Sequence, residues 1–141
     1  MYNGTIRRGV QVVIDTSALL AVLLDEPQRP AVITATTGVV LFAPASLPWE
    51  VGNALVATIR RRRLTPAEAQ RAWAAYEAVP LRLVEVDVGQ SIALAAELGL
   101  YAYDGYMLGL ARSRRLPLLT LDGKLGAAAR AIGVELVELG S

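Results

Sequence analysis

The chain has 141 residues, of which 54% are hydrophobic and 19% charged, and its formal net charge is +1. It contains no cysteine and no histidine, which excludes disulfides, thiolate metal sites and every mechanism that depends on an imidazole. Any catalysis must therefore use carboxylates, hydroxyls or guanidinium groups.

The hydrophobic content bears on location and assembly. The mean hydropathy is +0.42, yet no apolar run reaches the ~18 residues that a bilayer span needs, so no membrane segment is predicted. Arg7 and Arg8 precede an apolar stretch as in a signal peptide, but Asp15 and Thr16 interrupt it, and a cytoplasmic protein is expected. The surplus of apolar residues predicts that another chain covers some of them, as in a homodimer.

Strands and helices alternate along the chain. In chain order the predicted elements are a strand at 10–14, helices at 16–24 and 31–37, a strand at 39–43, helices at 47–62 and 67–78, a strand at 83–86, helices at 88–98 and 104–115, a strand at 118–121, a helix at 123–131 and a strand at 134–137. Thr65 and Glu68 have the spacing of a capping box, and Asp87 with Gln90 repeats it. Ser46 is a third predicted N-cap.

This alternation predicts the fold class. Short apolar strands joined by helices form parallel sheets that right-handed crossovers bury on both faces. We therefore predict an α/β protein, a three-layer α/β/α sandwich with a central parallel sheet of about five strands. It forms one domain over residues 1–141, with residues 1–9 as an N-terminal extension. Reactive groups in such sheets gather beyond the carboxyl ends of the strands.

Four acidic residues are candidates for that edge, and each has an alternative explanation. Asp15 ends a strand, where it could simply cap the following helix. Glu50 lies in the first turn of its helix, where the helix dipole favours an anion, and Asn53 shares its face. Asp104 starts a predicted helix and Asp122 precedes a glycine, so N-capping or a turn would explain either residue. None of these residues establishes a site alone.

The four acids together indicate a metal site. The predicted topology brings two strand-end aspartates and two helix-start acids to one edge of the sheet, where four carboxylates would repel one another. Divalent cations would neutralise this charge, and an all-oxygen ligand set favours Mg²⁺ or Mn²⁺ over zinc. An acidic magnesium cleft indicates phosphate chemistry.

Four segments of the chain carry a family resemblance. VVIDTSALL (12–20), SLPWEVGNAL (46–55), YDGYMLGLA (103–111) and LTLDGKL (119–125) resemble, in order and spacing, the motifs of VapC-like PIN domains. The resemblance covers nearly the whole chain. It implies a parallel five-stranded sheet, divalent-metal ribonuclease activity on RNA, and an antitoxin of the VapB type that blocks the cleft.

The resemblance also assigns roles to individual positions. The matching positions are Asp15, Asp104 and Asp122 for the metal-binding aspartates, Glu50 for the acidic residue of the second helix, and Ser17, Asn53 and Thr120 for supporting polar residues. Gly105 stands where the family commonly has alanine, which weakens the helix start without touching a ligand. The N-terminal extension is longer than in many members.

These residues suggest a mechanism. One or two Mg²⁺ ions held by the aspartates would lower the pKa of a bound water and orient it in line with a scissile RNA phosphate. Glu50 would either bind the second ion or accept the proton, and the sequence leaves both roles open.

Arginine supplies thirteen of the fourteen cations, and several are clustered. The candidates for contact with RNA or an antitoxin are Arg60, Arg61, Arg62, Arg63 and Arg112. Guanidinium groups suit phosphate well. The alternative for the cluster at 60–63 is a solvated helix end that complements the helix dipole.

Other functions remain compatible with the sequence. The chain could be a PIN-type nuclease of RNA processing that is not a toxin, or a PIN-like binding module without catalysis. Phosphoryl transfer through an aspartyl intermediate is disfavoured, because Ser17 stands where the paired aspartate of an Asp-x-Asp motif is expected.

Overall fold

The apolar run before Asp15 forms a central strand of a parallel sheet. The structure, a computed structural model, describes residues 9–140. Its strands are β1 (Gln11–Ile14), β2 (Val40–Pro44), β3 (Leu81–Val84) and β4 (Leu118–Leu119), in the spatial order β3-β2-β1-β4. Val13 is paired with Phe42 on one side and Leu118 on the other. Consecutive residues of β1 and β2 are buried, so both faces of the sheet are covered.

Helices supply that cover. In the described residues they are α1 (Thr16–Leu23), α2 (Arg29–Thr36), α3 (Leu47–Arg60), α4 (Pro66–Glu77), α5 (Val88–Leu98), α6 (Ala102–Arg114) and α7 (Gly123–Ala131). Helix α6 contacts β1 and β2 and packs along α5, whereas α1 contacts α2, α3 and α4. This arrangement confirms the predicted α/β class and its parallel sheet. No helix within residues 9–140 combines the length and apolar character needed to cross a membrane.

Local capping explains where most helices begin. Thr65 and Glu68 form the predicted capping box, and Asp87 accepts a hydrogen bond from the Gln90 amide at 2.9 Å. Ser46 is the N-cap residue of α3, as predicted, but its side chain makes no capping hydrogen bond. Its backbone is already helical, whereas a capping side chain needs an extended backbone to reach the helix amides. The buried Ser46 hydroxyl has no hydrogen-bond partner in the part of the chain described.

Three predicted strands differ from the structure. The third strand covers Leu81–Val84 rather than 83–86, because its register is fixed by pairing with β2, where Val84 lies opposite Pro44. The predicted strand at 134–137 is reduced to one parallel bridge between Leu136 and Leu118. Strand β4 covers only Leu118–Leu119 rather than 118–121, so it offers little edge to extend that pairing, and Asp122 lies beyond the end of the strand. The sheet in the described residues therefore has four strands instead of about five.

The start of α6 also differs, and this affects the site. The helix begins at Ala102, with Tyr101 as its N-cap residue and no side-chain cap. Asp104 therefore lies in the first turn and the alternative that it caps the helix is wrong. The prediction for the N-terminal extension falls, apart from Gly9, outside the described residues.

Buried side chains on α3 orient its polar face. Leu47, Val51 and Leu55 are almost completely inaccessible to solvent, and their spacing of four residues forms one stripe along the helix. Glu50 and Asn53 lie off this stripe. The packing of α3 thereby leaves Glu50 half-buried at the edge of the core and Asn53 exposed.

Candidate active site

Asp15 lies at the carboxyl end of β1 and is only 4% exposed. Its Oδ1 atom accepts hydrogen bonds from the Ala18 amide at 3.0 Å and the Ser17 hydroxyl at 2.7 Å. The Thr120 hydroxyl donates to Oδ2. Burial raises the pKa of Asp15 above its ordinary value of 3.8, whereas these three hydrogen bonds oppose the shift. The carboxylate is thus held rigidly in a place that disfavours its charge.

The carboxyl ends of β1 and β4 are joined by side chains. The Leu121 amide donates to the Ser17 hydroxyl at 2.9 Å, and the Asp122 amide donates to the Thr120 hydroxyl at 3.0 Å. The hydroxyls of Ser17 and Thr120 therefore accept hydrogen bonds from backbone amides that follow β4, while they donate hydrogen bonds to Asp15. This accounts physically for the supporting hydroxyls that the family resemblance implied at these two positions.

Glu50 is half-buried in the first turn of α3. Burial raises its pKa to about 7, and the charges of Asp15 and Asp104 act in the same direction. The Thr16 hydroxyl lowers the pKa of Glu50, but it has no partner at hydrogen-bond geometry within residues 9–140. Thr16 is therefore a neighbour of Glu50 and not its hydrogen-bond donor. At neutral pH Glu50 can both hold and release a proton.

Asp104 is half-buried at the start of α6. Burial raises its pKa and the charge of Asp122 adds to the shift, whereas Lys124 opposes it. Asp122 itself is exposed and caps α7 by accepting from the Lys124 and Leu125 amides at 2.9 and 3.2 Å. The alternative that Asp122 caps a helix is therefore confirmed. The charge of Asp122 also raises the pKa of Asp15.

These electrostatic effects on one another's pKa show that the four predicted acids lie in one region of the molecule. Asp15 and Asp104 act on Glu50, and Asp122 acts on both aspartates. The group is not a finished metal centre, however. Among the described residues, no three acidic side chains stand where they could hold a metal ion as they are. Hydrogen bonds engage both oxygens of Asp15 and one oxygen of Asp122.

A cavity of about 670 Å³ opens beside this group. Its lining comprises Thr16, Glu50, Asn53, Ala54, Tyr101, Ala102, Tyr103, Asp104 and Tyr106. Glu50 and Asp104 therefore face one space, as does Asn53, which shares the polar face of α3. The three tyrosines and Lys124 were not predicted as site residues. The only sequence signal for them is proximity, since the tyrosines flank Asp104 and Lys124 follows Asp122 by two positions.

The predicted basic residues do not join this group. Arg60 ends α3, ten residues after Glu50, which corresponds to roughly 15 Å along the helix axis. The cluster at 60–63 is exposed and lies at the far end of that helix. Arg112 lies in the last turn of α6 and lines separate cavities. Contact of these arginines with RNA or an antitoxin stays a prediction.

Comparison with known proteins gives a family match over most of the chain. The model of the family described as PIN domain matches residues 12–131. None of the curated proteins with which the chain was compared matches its sequence.

Solved structures share the fold. A protein of Pyrobaculum aerophilum, PAE2754, is 27% identical with a TM-score of 0.65, and the match covers 84% of this chain and 86% of that one. VapC20 of Mycobacterium tuberculosis, described as a sarcin-ricin loop cleaving toxin, is 17% identical with a TM-score of 0.64, covering 90% and 98%. VapBC2 of Rickettsia felis, solved bound to a DNA fragment from its promoter, is 10% identical with a TM-score of 0.64, covering 93% and 100%.

Proposed function

The chain belongs to the PIN domain family, and we propose that it is a divalent-metal-dependent endoribonuclease that cleaves RNA phosphodiester bonds. One observation carries the proposal. Asp15, Glu50 and Asp104 come from three separate elements, and burial raises the pKa of each. Carboxylates that are both desolvated and close to one another are costly for folding, and such clusters occur where a ligand compensates the cost.

A divalent cation fits the chemistry of these donors. Every candidate ligand is a carboxylate oxygen, which suits the hard ions Mg²⁺ and Mn²⁺. Asp15, Asp104 and Asp122 would hold the ion, and Glu50 lies beside them. When bound, it would supply Lewis acidity at the scissile phosphate and neutralise the repulsion among the acids.

The chain's own residues suggest a division of labour. Ser17 and Thr120 fix Asp15, so that one ligand is preorganised before substrate arrives. In the metal-free protein the pKa of Glu50 is about 7, and a bound cation nearby would lower it and favour the carboxylate that can accept a proton from the attacking water. We assign this role to Glu50 because the chain has no histidine that could perform it.

Cleavage of a labelled RNA by purified protein tests the proposal. We expect cleavage with Mg²⁺ or Mn²⁺ and none with EDTA. Asp15→Asn and Asp104→Asn should each lower the rate by at least roughly 10- to 100-fold, because loss of a residue that only supports a metal ligand already costs that much. The exposed residue Glu97 provides a matched control, since Glu97→Gln should cleave normally. Wild-type rates in both aspartate variants would refute the assignment.

We further propose that the nuclease is the toxin of a VapBC-type pair and acts in the cytoplasm. VapC20 is described as a toxin, and VapBC2 and a toxin–antitoxin complex of Klebsiella pneumoniae have the same fold. Inducible expression in a bacterium tests the toxin role. Growth arrest should follow expression of the wild type but not of Asp15→Asn. An active nuclease that leaves growth unchanged would instead support a role in RNA processing.

One surface of this chain suits an antitoxin. An apolar groove of about 560 Å³ runs between α3 and α4, and its lining includes Trp49, Val56 and Trp73. The Trp49 side chain is 72% exposed, which is unusual for so large an apolar group. Asn53 lines both this groove and the acidic cavity, so a segment lying in the groove would end beside the acids.

Co-expression with the cognate VapB-type protein tests this surface. Trp49→Asp should keep ribonuclease activity but escape inhibition by the antitoxin. Full inhibition of that variant would contradict the groove assignment. The expected homodimer stays a prediction, and light scattering of the purified protein would check it.

A further inference from the structure

Three arginines lie at the end of α6, the helix that carries Asp104 in its first turn. Arg112 and Arg114 belong to the last turn of α6, and Arg115 is its C-cap residue. All three are exposed. Arg114 follows Asp104 by ten residues, which corresponds to roughly 15 Å along the helix axis. The helix therefore holds these cations at a fixed distance from the candidate active site.

A fourth arginine, Arg82, joins them from the sheet. Arg82 on β3 pairs with Phe42 on β2, so the two side chains project from the same face of the sheet. The Cζ atom of Arg82 lies 5.9 Å from the centroid of the Phe42 ring, and that of Arg114 lies 5.5 Å from it. Such cation–π contacts hold a guanidinium group in place without neutralising its charge. One aromatic ring thereby positions a cation from the sheet and a cation from α6.

Ion pairing does not account for these arginines. Within residues 9–140 the only ion pair joins Arg130 to Glu138. Three acids line the cavities beside the arginines without pairing to them, namely Glu85, Asp87 and Glu135. The four guanidinium groups therefore remain available to an anion from outside the chain.

The helix dipole explains only part of the pattern. Cations in the last turn complement the negative end of a helix, which accounts for Arg112 and Arg114. It does not account for Arg82, which belongs to a strand. Arg115 has a left-handed backbone with φ 56°, a conformation that favours glycine, and α5 indeed ends with Gly99 at φ 69°. Arginine at this position indicates a use for its charge beyond ending the helix.

An extended polyanion is the ligand that suits this surface. The cavity lined by Arg112 and Arg114 has a volume of only about 130 Å³, below the roughly 300–1,000 Å³ typical of sites that enclose a small ligand. The guanidinium groups therefore present their charge on an open surface, where they can bind phosphates. The apolar groove between α3 and α4 has a different set of lining residues, so this surface is separate from the one that suits an antitoxin.

We propose that Arg82, Arg112, Arg114 and Arg115 bind phosphates of the RNA substrate at a distance from the cleaved bond. These four arginines form the distal basic surface. The inference rests on the proposed nuclease function and defines its substrate as RNA long enough to span both sites. Phosphates of a stacked strand advance by about 3.4 Å each, so 15 Å corresponds to roughly four or five nucleotides.

The salt dependence of RNA binding tests the inference. In an Asp15→Asn background with Mg²⁺, fluorescence anisotropy would follow a labelled single-stranded RNA that extends about eight nucleotides on each side of the cleaved bond. Loss of one phosphate contact should reduce the slope of log affinity against log salt by about 0.7. We expect this reduction in Arg82→Ala and in Arg114→Ala, whereas Arg114→Lys should keep the slope because it keeps the charge.

A matched control comes from α7. Arg130 lies in the last turn of that helix and is exposed, but it pairs with Glu138. Arg130→Ala removes one exposed cation from a helix end outside the distal basic surface, and its slope should equal that of the parent protein.

Arg115→Gly separates RNA binding from stability. Glycine suits the left-handed conformation, so the melting temperature should stay the same or rise, whereas the slope should fall by about 0.7. A shorter RNA, with only about two nucleotides on each side of the cleaved bond, cannot span the distance. Its binding should therefore be the same with and without the arginine substitutions.

Unchanged slopes in Arg82→Ala and Arg114→Ala, or an equally large change in Arg130→Ala, would overturn the inference. So would equal effects on the long and the short RNA. An Arg114→Ala protein that binds RNA normally but escapes the antitoxin would also overturn it, since the surface would then be a protein contact. These failures are distinct from failure of the proposed function, because cleavage of the short RNA by the wild type in Mg²⁺ is measured independently.

Discussion

The Thr120 hydroxyl donates a hydrogen bond to Asp15 across 105 positions of sequence. Asp15 follows β1 and Thr120 follows β4, two strands that pair directly. The bond therefore connects the two central strand ends at the edge where the acids gather. Because it lowers the pKa of a buried carboxylate, it stabilises the charged form that a metal ion would need.

Removal of this donor should destabilise both the folded protein and the ionised form of Asp15. Thr120→Val is expected to lower the free energy of unfolding by roughly 1.5–3 kcal/mol at neutral pH, the range for hydrogen bonds to charged groups. The loss should shrink in acid, where Asp15 is protonated. Urea denaturation at several pH values measures it, with Thr120→Ser and the exposed Thr34→Val as controls. Equal losses in Thr120→Ser and Thr120→Val would show that the hydroxyl is not responsible.

The metal-free protein should lose stability as the pH rises towards neutrality. The pKa of Glu50 is raised from 4.5 to about 7 on folding, so the folded state binds more protons than the unfolded state between these values. The contribution of Glu50 to the free energy of unfolding is therefore greatest below pH 4.5 and is lost as the pH rises through 7. The loss is of the order of 3 kcal/mol at most.

Glu50→Gln checks this sign, because it removes the titrating group. Its unfolding free energy should depend less on pH between 5 and 8 than that of the wild type, whereas Glu97→Gln should resemble the wild type. A wild-type protein that becomes more stable over this range would contradict the raised pKa of Glu50.

Mg²⁺ should stabilise the folded protein if the acids bind it. A ligand that binds only the folded state adds about 3 kcal/mol at 100 times its Kd. We expect the melting temperature to rise with Mg²⁺ in the wild type and to respond much less in Asp104→Asn. Calorimetry provides an independent check, and absence of both heat and thermal shift in the wild type would instead favour a binding module without catalysis.

Gly105 should not tolerate the alanine that is common at this position in the family. A Cβ there would lie 2.6 Å from the Ser91 carbonyl oxygen and 2.9 Å from the Ala95 Cβ atom. Both groups belong to α5, so α6 would have to move at the residue after Asp104. Gly105→Ala should destabilise the fold by about 1–3 kcal/mol and weaken Mg²⁺ binding. In α3, Gly52 has no neighbour within 4 Å of such a Cβ, and Gly52→Ala should stabilise by up to about 1 kcal/mol.

Lys124 should contribute more to RNA binding than the arginine cluster does. It lies close enough to Asp104 to lower the pKa of that residue, whereas Arg61 lies at the far end of α3. If Lys124 contacts one phosphate, Lys124→Ala should reduce the slope of log affinity against log salt by about 0.7. Arg61→Ala is the matched control, and a larger change in that variant would assign RNA contact to the arginine cluster.

Local features of the sequence were sufficient to predict much of the fold. Apolar runs identified β1 and β2, and the capping residues at Thr65 and Asp87 located two helix starts. These signals depend on residues within one or two turns of each other, so they can be recognised in the chain itself. The same locality explains the errors. The extent of the strand near Leu136 depends on how much edge β4 offers, and the start of α6 depends on its packing against α5.

The sequence by itself determined the alternation of strands and helices, the chemistry of the candidate site as carboxylate without imidazole, and the strand-end position of Asp15. Only the tertiary structure decided that Thr120 holds Asp15, that Glu50 titrates near neutrality and that tyrosines share its cavity. The capping hydrogen bonds of helices and the spacing of apolar residues involve neighbours in the sequence, so they can be inferred from the chain itself. Burial and charge interaction depend on side chains that are distant in sequence, and these properties exist only after the chain has folded.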